Sequence, residues 1–153
     1  MSDAQAWGTA LLRVILGVIY VMHGYFAVTV LGPEGTTGLM LRMGYPPVLA
    51  PALAWYLILA QTAGGVLMIA GLWTRVAALL QVPIMASVLF LLYLGQGFFL
   101  RGIVVDAAAG RAVAGGYEYA LLVLAATLAL ALLGEGAGSL AGWRAARPRI
   151  RFP

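Results

Sequence analysis

Cysteine is absent from the chain, which excludes disulfides, thiol redox chemistry, cysteine-ligated zinc and cysteine-held iron–sulfur clusters within it. Lysine is absent too: all nine basic residues are Arg, a group that keeps its proton in a protein. The single histidine, His23, cannot ligate a haem on both axial sides. No phosphate loop, nucleophile elbow, metal motif or haem-attachment motif is found. Charge itself is scarce, at 9% of 153 residues against roughly 25% in a soluble domain. In its place stand 63% hydrophobic residues, 20 glycines and a mean hydropathy of +1.00. Water is therefore not the main solvent of this chain. The net charge of +4 sits on arginines that flank apolar runs instead of forming a basic face. That pattern argues against nucleic acid and for a lipid bilayer with anionic headgroups.

The apolar runs predict one membrane domain over residues 1–153, an all-α polytopic four-helix bundle. The spans fall at about 7–31, 50–73, 76–94 and 117–133. Gly32-Pro33 is read as the turn that ends the first span. A cleaved signal peptide would want positive charge at its start and a shorter apolar core, whereas Met1 to Trp7 carries Asp3 and no Arg. Pro83 removes a backbone bond inside the third span near the Leu79 carbonyl, with Ser87 and Gln81 placed to serve freed groups. Gly134-Glu135-Gly136-Ala137-Gly138 stops the fourth span. Loops at about 32–49 and 95–116 form an outer cap. In the second, Arg101 to Arg111 reads either as a short hairpin or as an interfacial segment.

Four crossings put both termini on one side. That side carries Arg75, Arg144, Arg147, Arg149 and Arg151 against Arg42, Arg101 and Arg111 on the other, so the positive-inside rule makes it cytoplasmic. The tail at about 141–153 then lies against the inner leaflet. Trp143 serves as anchor, and Arg144, Arg147, Arg149 and Arg151 meet lipid phosphates or simply fix topology.

Polar groups inside a span are costly and are read first as functional or paired, which singles out Arg13, His23, Gln61 and Glu118. At ~1.5 Å rise per residue, Arg13 lies about 9 Å to the cytoplasmic side of its span's centre and His23 about 6 Å to the outer side. Glu118 is nearer His23 in depth, so a His23–Glu118 pair is within geometric reach, and would donate and accept a proton at one membrane face. Each also has a local reading: His23 bonded to a backbone carbonyl, and Glu118 favoured at a helix start by the macrodipole. Arg13 and Gln61 form a second expected couple, with snorkelling of Arg13 to lipid phosphate as the alternative. Tyr20, Tyr25, Phe26, Trp55, Tyr56, Trp73 and Tyr93 read as an aromatic belt. The faces Arg13, Gly17, Tyr20, Gly24 and Gln61, Gly64, Gly65, Met68 repeat at helical spacing and should meet. Such small-residue faces also permit a homo-oligomer.

From about Leu11 to Leu140, the order of these pieces resembles the DoxX family of small four-helix membrane proteins. The resemblance is carried by Leu12-Arg13 with Gly17 and Gly24, then by Gly64-Gly65-x5-Gly71-Leu72-x-Thr74-Arg75-x-Ala77-Ala78. Glu118 follows, opening the last helix, and Gly134-Glu135-Gly136-Ala137-Gly138-Ser139-Leu140 completes it. The family often has Glu where this chain has Gln61, and Asp after Ser-Leu where it has Ala141.

What the resemblance implies is a small integral subunit of a respiratory or quinone-linked oxidoreductase system in a prokaryotic inner (plasma) membrane. Such a subunit binds quinone or quinol, or anchors a redox partner, with Arg13, His23, Gln61 and Glu118 lining its polar interior. No intrinsic cofactor or metal is expected, and quinone is the candidate ligand. A non-catalytic scaffold or assembly protein holding respiratory-complex partners is the alternative. A small-molecule transporter ranks below both, because one short bundle leaves little room for alternating access.

Overall fold

The computed structural model describes residues 2–106 and 111–146. Its first helix, α1 (Asp3–Phe26), starts with a capping box: Gln5 N–H donates to the Ser2 hydroxyl, and Ser2 N–H to the Gln5 side chain. Thr9, Ala10, Arg13, Leu16, Gly17, Tyr20 and Gly24 are its buried residues, steps of three and four that keep one stripe inward. Leu11, Ile15, Val18 and Met22 face outward and are exposed, as expected of a helix whose outer face meets lipid.

A π-helical segment, Ala27–Leu31, extends α1. At Gly32 the backbone turns through φ +68°, and a further helix, α2 (Gly32–Arg42), follows with Pro33 in its first turn. The expected turn is therefore also a helix start. Proline lacks the N–H that a first turn leaves unbonded, so Pro33 begins a helix as readily as it ends one. The run Asp3–Arg42 is 40 residues long, about 60 Å if straight and twice the hydrocarbon thickness of roughly 30 Å. The break at Gly32 lets α2 fold back to pack on the helix that follows.

That helix, α3 (Ala50–Leu59), continues through a π segment, Ala60–Gly64, into α4 (Gly65–Ala70). Its end is a Schellman motif: Gly71 N–H donates to Met68 O, and Leu72 N–H to Leu67 O. Gly71 supplies the left-handed φ of +68° that the motif requires. Next come α5 (Thr74–Ser87), a third π segment (Val88–Tyr93) and a short turn, Leu94–Gln96.

Strands β1 (Arg101–Asp106) and β2 (Arg111–Gly115) pair antiparallel, Arg101 opposite Gly115, with an irregularity between Val104 and Asp106. Of the two sequence readings for this segment, the hairpin is the one observed. Its turn, 107–110, lies outside the described residues. The chain closes with α6 (Glu118–Leu133) and α7 (Leu140–Ala146).

Apart from the hairpin, the described residues form an all-helical bundle. The run Asp3–Arg42, Ala50–Ala70 and Thr74–Gln96 are long and apolar enough to cross a membrane, and α6 is a shorter apolar helix. Helix α1 approaches the second span closely through glycine: a Cβ on Gly17 would stand 2.7 Å from Ile69 Cγ1 in α4, and one on Gly24 2.6 Å from Thr62 Cγ2 in the π segment before it. The two small-residue faces named from sequence do meet there, except that Gly64 turns away toward α5 and Gln81. One core gathers Leu16, Tyr20, Met68, Met85, Val123 and Leu130; a second, under α2, gathers Ala27, Met40, Ala54, Ile58 and Ile84.

Around Pro83 the division of labour differs from the sequence reading. Ser87 donates to Pro83 O at 2.7 Å and in turn accepts from the Tyr45 hydroxyl, while Tyr56 donates to Leu80 O at 2.5 Å. Gln81 reaches the second span instead.

Candidate functional site: a polar cleft between α1, the second span and α6

Arg13 is 2% exposed and does not snorkel. One guanidinium nitrogen, Nη1, donates to Met68 O at 2.9 Å and Ile69 O at 2.8 Å, and Nη2 to Ala137 O at 3.3 Å. The first two carbonyls end α4, where the helix dipole is negative; Met68 O also accepts from Gly71 N–H in the Schellman turn. Ala137 belongs to the glycine turn after α6; its own N–H donates to Ala6 O, and Glu135 in the same turn lies in electrostatic range of the guanidinium. Arg13 is thus a clamp joining α1, α4 and the glycine turn. The expected Arg13–Gln61 couple is not formed, because the Schellman turn offers carbonyls in a fan that a planar five-donor fork matches better than one amide oxygen.

His23 and Glu118 also part company. His23 Nδ1 lies 2.9 Å from Ile19 O, one turn back on its own helix. A carbonyl can only accept, so Nδ1 carries a proton here, and in the neutral form of the ring Nε2 is then an acceptor. Glu118 starts α6, and its carboxylate accepts from Leu100 N–H at 2.9 Å, tying the base of the hairpin to the helix. The local readings prevail over the pair because each group finds a backbone partner within its own end of the bundle.

Gln61 sits in the π segment Ala60–Gly64 and is 6% exposed. Among the described residues its amide has no hydrogen-bond partner. It opens on a small cleft lined by Ile19, Tyr20, His23, Met85, Tyr119 and Val123. Of the four polar residues singled out from sequence, the fold brings His23 and Gln61 together and holds Arg13 and Glu118 elsewhere. Tyr20 is 1% exposed, not part of an aromatic belt. It donates to the Thr127 hydroxyl at 2.6 Å, since the Thr127 proton is engaged with Val123 O at 2.7 Å.

Tyr119, beside Glu118 and 41% exposed, was not among the sequence candidates. Its signal was adjacency: a carboxylate at a helix start draws the eye, while the next residue points a phenol along the bundle. Of the tail arginines read from sequence as lipid-headgroup contacts, Arg147, Arg149 and Arg151 lie outside the described residues, and Arg144 is described only in its backbone, within α7. Among the described residues no group of His, Cys, Asp and Glu could hold a metal.

Chemically, the cleft presents an amide that can donate or accept, an imidazole nitrogen and a phenol around apolar walls. The cavity has a volume of about 20 Å³, room for about one water or for one carbonyl oxygen of a larger molecule seated at its mouth.

No curated protein and no solved structure matches the chain. The family model of DoxX matches residues 8–94, more than half of the 153 residues. The match takes in Arg13 with its acceptors Met68 O and Ile69 O, the contacts among Gly17, Gly24 and Gly65, Gln61 and the turn at Gly71, and stops before the hairpin, Glu118 and the glycine turn. The chain belongs to the DoxX family, and is a small membrane protein of it.

Proposed function

We propose that this protein is a small integral subunit of a quinone-linked redox system, with four spans, both termini in the cytoplasm and the cleft in the outer half of a prokaryotic inner membrane. The observation that carries the reading is the Gln61 amide, on a residue only 6% exposed, which no group among the described residues bonds and which opens on His23 and Tyr119. An amide at a cleft in an apolar setting, with no partner among the described residues, is a place where a ligand can bond. Family membership adds the association with oxidoreductase systems. The five-to-three division of arginines supports the orientation.

The residues suit a quinone headgroup. Gln61 Nε2 is the donor for a carbonyl oxygen entering the cavity, and the Tyr119 hydroxyl is a second donor at its edge. His23 holds a proton on Nδ1 against Ile19 O and can take or give one at Nε2. Met85 and Val123 exclude water from the inner wall. A quinone contributes the redox chemistry when bound, taking up one proton for each electron; the chain itself orients and relays.

The test is purification from native membranes in mild detergent, with extraction of quinones and identification of co-eluting proteins, for the wild type and for Gln61→Leu. Near-stoichiometric quinone in the wild type that is lost in the variant, with the same protein partners, supports the reading. Intact partners with no quinone in either sample reject it in favour of a scaffold.

A further inference from the structure

Gln81 on α5 is fully buried and touches none of the groups just described. Its Nε2 donates to Ala60 O at 2.6 Å, and its Oε1 has no partner among the described residues. A glutamine kept in an apolar interior with half its amide unsatisfied is unfavourable unless the other half matters.

The carbonyl it holds is the one immediately before Gln61. Ala60 opens the π segment. There the backbone ladder shifts from the four-residue to the five-residue spacing, an extra residue is accommodated, and the following side chains point in a direction different from that of a regular helix. Gly64, at the end of the same segment, completes the arrangement. A Cβ there would stand 2.8 Å from Gln81 Nε2, so only glycine leaves the donor its place. Two spans therefore contribute an amide and a gap to one backbone oxygen.

We infer that Gln81 is a positioning residue: by holding the Ala60 carbonyl it fixes the π turn that directs Gln61 into the cleft. The functional meaning of that direction rests on the headgroup reading above; the positioning itself does not.

The side-chain amide resonances of the chain's four glutamines are read by NMR on protein labelled with 15N-glutamine in lipid nanodiscs, that of Gln61 being assigned through Gln61→Leu. Gln81→Met, of similar length with no donor, and Gly64→Ala, which fills the donor's place, should each move the Gln61 resonance. Gln81→Glu, whose neutral carboxyl keeps one O–H donor, should restore it. With a water-soluble short-chain benzoquinone as probe, Gln81→Met should weaken binding by about five- to tenfold, the size of one hydrogen bond, and Gln81→Glu should recover most of that loss.

A Gln61 resonance unmoved in Gln81→Met overturns the inference, whether or not Gly64→Ala folds; so does a Gln81→Glu protein that behaves like Gln81→Met. If the resonance moves as expected while the wild type ignores the benzoquinone, the positioning stands and the headgroup reading falls.

Discussion

Gly17 and Gly65 pack backbone against backbone: a Cβ on either would stand 2.9 Å from the other's carbonyl oxygen. In lipid no hydrophobic drive brings helices together, so this proximity is itself the stabilising contact. Gly17→Ala and Gly65→Ala should each lower stability by about 1–3 kcal/mol through overpacking, and Gly17→Leu should prevent a stable bundle. Thermal unfolding in detergent, with Gly8→Ala as a control where a Cβ meets nothing, reads the difference.

The Arg13 clamp predicts a stability phenotype without a ligand phenotype. Arg13→Met takes the guanidinium from Ile69 O and Ala137 O and leaves Met68 O only the Gly71 N–H, and should cost about 1.5–3 kcal/mol, as for hydrogen bonds to a charged group. Arg13→Lys should recover only part, because a point charge cannot spread over three acceptors. Limited proteolysis should show faster cutting between Gly134 and Ser139 in both variants. Unchanged cutting there would remove the clamp from the account.

Tyr20 and Thr127 join α1 to α6 by one hydrogen bond. A double-mutant cycle with Tyr20→Phe and Thr127→Val should give a coupling of about 0.6–1.7 kcal/mol, the range for side-chain bonds inside membrane proteins. A coupling near zero would mean that the two hydroxyls are served equally well apart.

At the cleft, stability and function should oppose one another. Gln61→Leu removes an amide that no described group bonds and replaces it with an apolar side chain in a largely apolar cleft, and should raise stability by up to roughly 1 kcal/mol while abolishing retention of quinone. A destabilised Gln61→Leu protein would show that the amide has a partner inside the bundle after all.

Much of this architecture was legible in the chain, and the parts that were not have physical reasons. The lipid-exposed runs and the stripe through Gly17 and Gly24 are periodic signals, and periodicity survives folding. Gly32-Pro33 was ambiguous, because the same pair that interrupts one helix starts the next. The partners of Arg13 could not be read, since they are backbone carbonyls and backbone is identical at every position. His23 and Glu118 match in depth and sign, yet each is bonded to backbone instead: His23 to a carbonyl one turn back on its own helix, Glu118 to an N–H at the base of the hairpin 18 positions earlier. Gln81 was noticed for its nearness to Pro83, when the carbonyl it serves belongs to another span. A π turn has no sequence signature, so neither Ala60 nor the direction of Gln61 could be foreseen.

The Arg13 clamp also sets an order of events during synthesis. Its acceptors lie 55, 56 and 124 positions farther along the chain, so the first span is made carrying a guanidinium whose hydrogen-bond acceptors do not yet exist. At about 5–20 residues per second, some seconds pass before the end of α4 arrives, and still longer before Ala137. A nascent chain stalled before Gly65 should be retained at the insertion machinery or lost to proteolysis, and only completion of the glycine turn releases a protein whose first helix is fully accommodated.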